Sequence, residues 1–246
     1  MKVETIEQQK REGGFTLVEL AIVMIIIGLL IGGILKGQEL IANSQVTATI
    51  AQVKSIDAAT STFRDKYNAL PGDMNNATVR LGPCAAGTTI CADGRGNGRI
   101  DGRAANQVPR IADEKLQAFV HLAAGDLLSG VDTAAGTAAF GSALPDAKAG
   151  GGFWIAYTAN GVINTVATNA EARAGHYLVY TGVAANLAAG NGAVQPGRAA
   201  QIDRKLDDGA PGTGSVISNG TACRVNAGAY NEGAGDVCNM AIRVQG

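Results

Sequence analysis

Hydrophobic positions are spread very unevenly along this chain. Residues 1–14, MKVETIEQQKREGG, are polar, with three acids and three bases. An apolar run, FTLVELAIVMIIIGLLIGGIL, follows from Phe15 to Leu35 and contains one charge, Glu19. Its 21 residues match the roughly 20 that a helix needs to cross a bilayer. Lys36 is the first basic position after it. Gly28, Gly32, Gly33 and Gly37 form two small-xxx-small pairs, a spacing that lets helices approach closely in an apolar medium.

From Gly37 the pattern becomes amphipathic. Ile41, Val46, Ile50, Val53, Ile56, Phe63 and Tyr67 recur at steps of three and four or their sums, with Lys54, Asp57, Arg64 and Asp65 largely between them. No proline intervenes before NALPGD, where Pro71 and Gly72 are expected to stop the helix. The pattern predicts one helix of about 50 residues, near 80 Å long at 1.5 Å per residue.

Downstream the periods shorten. ADEKLQAFVHLAAGDLLSG (112–130) reads as a short helix with Leu116, Phe119, Val120 and Ala123 on one face and Gly130 just past its end. GGFWIAYTANGVINTVAT (151–168) reads as a hairpin turning at Ala159-Asn160-Gly161, and HYLVYTG (176–182) supplies a third strand. AAQIDRKLDDGAPGTGSV (199–216) reads as a short helix, then a turn at Asp207-Asp208-Gly209. TACRVN and VCNMAIRV are strand candidates near the C-terminus. No internal repeat or linker is evident, so residues 71–246 read as one head. The fold class is α+β, a long helix packed on an antiparallel sheet of about four strands.

Lys and Arg total 20 against 21 Asp and Glu, so no basic excess favours nucleic acid. Aromatics are only 4% and glycines number 34, which limits the head to a modest core with many loops. Cys84, Cys91, Cys223 and Cys238 form two locally spaced pairs, neither with CxxC spacing. The only histidines, His121 and His176, are remote from both pairs in sequence, which disfavours zinc. In an exported head these cysteines read as two disulfides. Four cysteines allow three connectivities, of which the local pairs 84–91 and 223–238 are preferred.

Candidate chemistry in the head is sparse. DGRGNGRIDG (93–102) places Asp93, Asn97 and Asp101 at the first, fifth and ninth positions of a calcium-loop register, with Gly98 sixth. The third position is Arg95 and the twelfth Ala104 instead of Glu, so an asparagine/glycine turn is expected there and no metal. His121 is expected as a surface or half-buried helix residue, and Asp207-Asp208 as a solvated helix end. No Ser/His/Asp arrangement, phosphate loop or histidine cluster suggests catalysis, and no cofactor is expected.

The N-terminus carries the specific signal. A secretory signal places its cleavage site after the apolar stretch, whereas here the small-residue site, Gly13-Gly14, precedes it. GGFTLVELAIVMIIIGLLIGGIL closely resembles the class III signal of type IV pilins and type II secretion pseudopilins, with Gly14 at the cut, Phe15 after it and Glu19 four residues on. The resemblance covers about 25 residues strongly, a length typical of one membrane segment and its flank. It implies a leader, 1–14, removed by a prepilin peptidase that methylates the new Phe15 amine. It further implies a membrane and filament-core segment (15–36), the amphipathic half of the same helix (37–70) and a periplasmic or extracellular head (71–246). YNALPGDMNNA (67–77) resembles the exit turn of such proteins. Many type IV pilins have a proline near the position of Lys36, and this chain has none there.

A buried charge is tolerable only when paired. In a stack of such helices the Phe15 amine of one subunit can meet Glu19 of its neighbour. The resemblance therefore implies other pilin subunits, prepilin peptidase and an inner-membrane assembly machine as partners. Localisation would be single-pass in the bacterial inner membrane first, then in a surface or periplasmic filament. A pilus subunit, major or minor, is the leading reading. A type II secretion pseudopilin is the alternative, and a membrane-anchored periplasmic binding or enzymatic module is a third reading from another class.

Overall fold

The apolar and amphipathic runs form one uninterrupted helix, α1, Leu17–Tyr67. The structure is a computed structural model and describes residues 14, 16–87, 90–102, 109–161, 163, 172–182, 192–220, 222–235 and 238–244. Phe15 and most of the leader lie outside these residues.

The chain divides into two units, Met1–Asn43 and Ser44–Gly246. In the first, the apolar side chains of α1 are exposed: Leu17 is 85% exposed and Leu29 73%. Ile41, expected on the core face, is exposed with them. In the second, Val46, Ile50, Val53, Ile56 and Phe63 are buried as their spacing predicts, joined by Thr49, Ala59 and Thr60. Thr49 and Thr60 return their hydroxyls to carbonyls four residues back, which lets a polar residue sit on a buried helical stripe.

The helix ends before the expected breaker. Asn68 adopts φ +52°, the left-handed geometry that closes helix C-termini. Arg80 donates to the Tyr67 carbonyl at 2.9 Å and satisfies one of the last acceptors. Gly72 (φ +85°) is needed for a different reason: a Cβ there would strike the Glu114 carbonyl and lie 2.9 Å from the Ala118 nitrogen. The exit turn thus lies against the helix that follows.

The remaining helices are α2 (Ala77–Arg80), α3 (Gly82–Ala85), α4 (Glu114–Ala124) and α5 (Pro196–Leu206). The strands are β1 (Gly152–Thr158), β2 (Gly175–Thr181), β3 (Val216–Asn219), β4 (Arg224–Asn226), β5 (Ala229–Tyr230) and β6 (Asn239–Arg243). Four form an antiparallel sheet in the order β1-β2-β6-β3, and β4-β5 form a separate pair. β1 pairs with β2, with Ile155 opposite Leu178. The second arm expected at 162–168 lies outside the described residues except Ile163. β3 has no counterpart in the sequence reading. The two C-terminal strand candidates fall in different sheets and are joined by a disulfide.

One sheet face carries Phe153, Ile155, Leu178, Tyr180, Met240, Ile242 and Val216, in register across all four strands. They share a core with Val46, Ile50, Val53 and Ile56 of α1. A smaller cluster gathers Ala59, Phe63, Met74, Leu81, Cys84 and Leu122 beneath the exit turn. The fold is therefore α+β, a long helix with an antiparallel-sheet head. Its two disulfides are Cys84–Cys91 and Cys223–Cys238.

Candidate functional site

The start of α1 is built by a reciprocal pair. The Thr16 backbone N–H and hydroxyl donate to Glu19 Oε2 at 2.9 and 2.7 Å, and the Glu19 N–H donates to Thr16 Oγ1 at 3.2 Å. This is a capping box, Thr-x-x-Glu, which satisfies donors that a helix N-terminus leaves without partners. Both bonds to the carboxylate end on Oε2, and Oε1 has no partner among the described residues. Glu19 and Gly14 are exposed. The pattern was legible in TLVE, yet the sequence reading passed over it by treating Glu19 only as a charge in an apolar run.

Beyond the cap, the apolar segment belongs to the one described helix long and apolar enough to cross a membrane. A Cβ added at Gly28, Gly32, Gly33 or Gly37 would meet nothing within 4 Å. Glycine inside a helix is less favourable than alanine by roughly 0.5–1 kcal/mol, and nothing in the subunit's own packing requires it here. Lys36 pairs with Glu39 at 2.7 Å just past the run.

The head places its candidate residues in internal contacts. In the 93–102 loop, Asp93 accepts the Thr78 N–H and hydroxyl. Asp101 pairs with Arg95 at 2.6 Å and is approached by Asn97. The residue that spoils the calcium register thus supplies the loop's own cation. Ala104 lies outside the described residues.

Two acids that the sequence reading missed hold this loop. Buried Asp73 accepts the N–H groups of Asn97 and Gly98, and buried Glu114 those of Arg95 and Asp101. Burial raises the Glu114 pKa, and the two backbone bonds pull it back. They were invisible in sequence because their partners are backbone groups about 13 to 25 residues away.

His121 is fully buried, not half-exposed, because α4 is covered along Glu114–Leu122 on every side. Its Nδ1 accepts the Gly72 N–H at 2.9 Å, and Nε2 faces the Ala92 carbonyl at 2.9 Å. His176 Nε2 accepts the Ile100 N–H at 3.1 Å. Burial lowers both pKa values. Only neutral imidazoles can accept those bonds, so the two histidines act as latches on the segment between Gly72 and Ile100.

Asp203, Asp207 and Asp208 converge at the end of α5. The expected solvated end is half correct: Asp208 is exposed and accepts from Ala210 and Thr213. Asp207 is half-buried and accepts the N–H groups of Ser215 and Val216. Asp203 is buried against the Tyr230 hydroxyl, and burial raises its pKa to about 6. These acids hold the β3 approach through backbone bonds.

Residues 9–35 match the family model of the prokaryotic N-terminal methylation motif. That motif is the prepilin-type signal of type IV pilins and pseudopilins, which are structural proteins and not enzymes. No curated protein and no solved structure matches the chain.

Proposed function

We propose that this chain, type IV pilin- or pseudopilin-like by its N-terminal motif, is a structural subunit, major or minor pilin, of a type IV pilus-like filament. The observation that carries the reading is the set of four α1 glycines whose Cβ positions are open. They sit in an apolar surface that no described residue of the first unit covers. Such glycines cost helix stability in the single subunit, and their use lies in close approach by neighbouring helices.

In this reading the polar leader stays in the cytoplasm and residues 15–36 insert in the inner membrane. Prepilin peptidase cuts after Gly14 and methylates the Phe15 amine. The cut leaves the Phe15–Thr16 peptide bond intact, so the Thr16 N–H still donates to Glu19. The single subunit thus holds its acid in a satisfied cap. On docking, Oε1 takes the Phe15 amine of a neighbour, an ion pair strengthened by the apolar surroundings. The assembly machinery lifts the subunit from the membrane into the filament, and the 71–246 head faces outward.

A type II secretion pseudopilin would share this N-terminal physics. A working calcium loop would favour the pseudopilin, whereas the Arg95–Asp101 pair gives the 93–102 loop its own cation and so favours the pilus subunit.

The test is mass spectrometry of the N-terminal peptide from membranes and from sheared surface filaments. A methylated Phe15 terminus in the sheared fraction supports the pilus subunit. The same terminus confined to membranes points to a pseudopilin, and an intact Met1 in both fractions overturns processing.

A further inference from the structure

Within the second unit, a cavity of about 710 Å³ opens between α1 and the sheet. This lies inside the roughly 300–1,000 Å³ range of small-molecule sites. Its apolar wall is made by Val53 of α1, Leu178 of β2, Val216 of β3 and Ile242 of β6. Backbone bonds fix that wall: the Arg243 N–H donates to the Ser215 carbonyl at 2.8 Å, and the Val244 N–H to the His176 carbonyl at 3.0 Å. Asp207 holds the Ser215 and Val216 amides from behind.

The charged groups on the cavity come from three separate parts of the chain. Lys54 of α1, Arg173 before β2 and Arg243 at the end of β6 all line it, against one acid, Asp57. None of the three cations forms an ion pair with a described residue. Arg173 and Arg243 share one end: burial pushes the Tyr177 hydroxyl upward in pKa, and the charges of Arg243 and Arg173 both pull it back. Three cations gathered by the fold against one acid leave a local excess of positive charge. Beside a low-dielectric wall the field of such an excess is strengthened.

We propose that this cavity binds a small amphipathic organic anion, its carboxylate held by Arg173, Arg243 and Lys54 and its apolar body laid on Leu178, Val216 and Ile242. A planar guanidinium offers paired donors to a carboxylate, and the apolar wall selects against a bare inorganic ion. The inference stands apart from the filament reading, since it uses no residue of the N-terminal unit.

The test uses the full chain in nanodiscs of zwitterionic lipid, with the methyl groups of Leu178, Val216 and Ile242 followed by NMR. The probes are 2-naphthoate, the uncharged 2-naphthamide and inorganic phosphate, with empty nanodiscs as the partition control. Naphthoate is expected to shift these methyls saturably while naphthamide and phosphate do so at least about tenfold more weakly, the effect of one lost charge-assisted bond. Lys54→Gln combined with Arg243→Gln, both exposed positions, is expected to weaken naphthoate by a similar factor. Unchanged Leu116 and Val120 methyls would show that this variant folds. Equal binding of naphthoate and naphthamide, equal binding of phosphate, no saturable shift, or full binding by the folded variant would each overturn the proposal.

Discussion

Thr16 and Glu19 bond to each other in both directions across the first turn of α1. The acid that looks costly in an apolar run is thus a helix cap before it is anything else. Two roles follow for one side chain, and they separate by substitution. Glu19→Gln preserves a capping-box residue but removes the charge. Thr16→Val removes the cap, at a cost of about 1 kcal/mol in helix stability, but keeps the charge. Glu19→Gln and Glu19→Ala are expected to insert and be processed yet yield few filaments. Thr16→Val should assemble while its first-turn amides exchange faster. Normal filament yield from Glu19→Gln would refute the charge-pairing account.

The open glycines make a second prediction with opposite signs in monomer and filament. Gly32→Ala should raise the helical stability of the detergent-solubilised subunit by about 0.5–1 kcal/mol, because no atom within 4 Å opposes the new Cβ. Gly32→Leu should insert equally well but lower the yield of sheared filament. Wild-type yield from Gly32→Leu would place that face outside the subunit interface.

His176 makes head stability depend on pH. Burial holds its pKa below the ordinary 6.5, with Asp73 raising it and Arg64 lowering it, and its neutral Nε2 accepts the Ile100 N–H. The unfolded chain takes up a proton near pH 6.5 and the folded chain does not, so stability present above that pH is lost as pH falls below it. Asp203 acts in the other direction. Raised from 3.8 to about 6, it holds its proton in the folded head between those values and adds stability as pH falls through them. His176→Gln retains an acceptor without a titration. Between about pH 7.5 and about pH 5 the wild type should lose urea resistance relative to this variant. Fluorescence of Trp154, the single tryptophan and buried in the head, reports the transition. Parallel pH curves for the two proteins would remove the latch.

The two disulfides should differ in weight. Cys223–Cys238 closes the longer loop, with a sequence separation of 15 against 7 for Cys84–Cys91. In the chain-entropy model their removal costs about 3 and about 2.5 kcal/mol respectively. Replacing each pair by serines and measuring urea midpoints at Trp154 checks the order. A larger loss from the 84–91 pair would mean that local packing around Cys84, not loop closure, sets its contribution.

Much of this protein was readable residue by residue, and the limits of that reading are physical. α1 was legible because its signals are local: an apolar run of membrane length, then a three- and four-residue rhythm that fits one helical face. The processing motif, the two local disulfides and the short helices α4 and α5 were legible for the same reason. Asn68 displaced Pro71 as the helix stop because a left-handed asparagine leaves little mark in sequence.

Strand pairing was not legible. HYLVYTG could be recognised as a strand, but its place between β1 and β6 joins segments that no local pattern relates. The loop from Asp93 to Gly102 shows the same division. Its glycines announced a turn, and Arg95 argued against calcium. Only the folded chain brings Asp73, Glu114 and His176 to its backbone, and Arg95 to Asp101. The sequence by itself determined the elements with internal periods and carried the N-terminal methylation motif. The tertiary structure decided which buried acids and histidines became partners for backbone groups, because those bonds join residues that proximity along the chain does not relate.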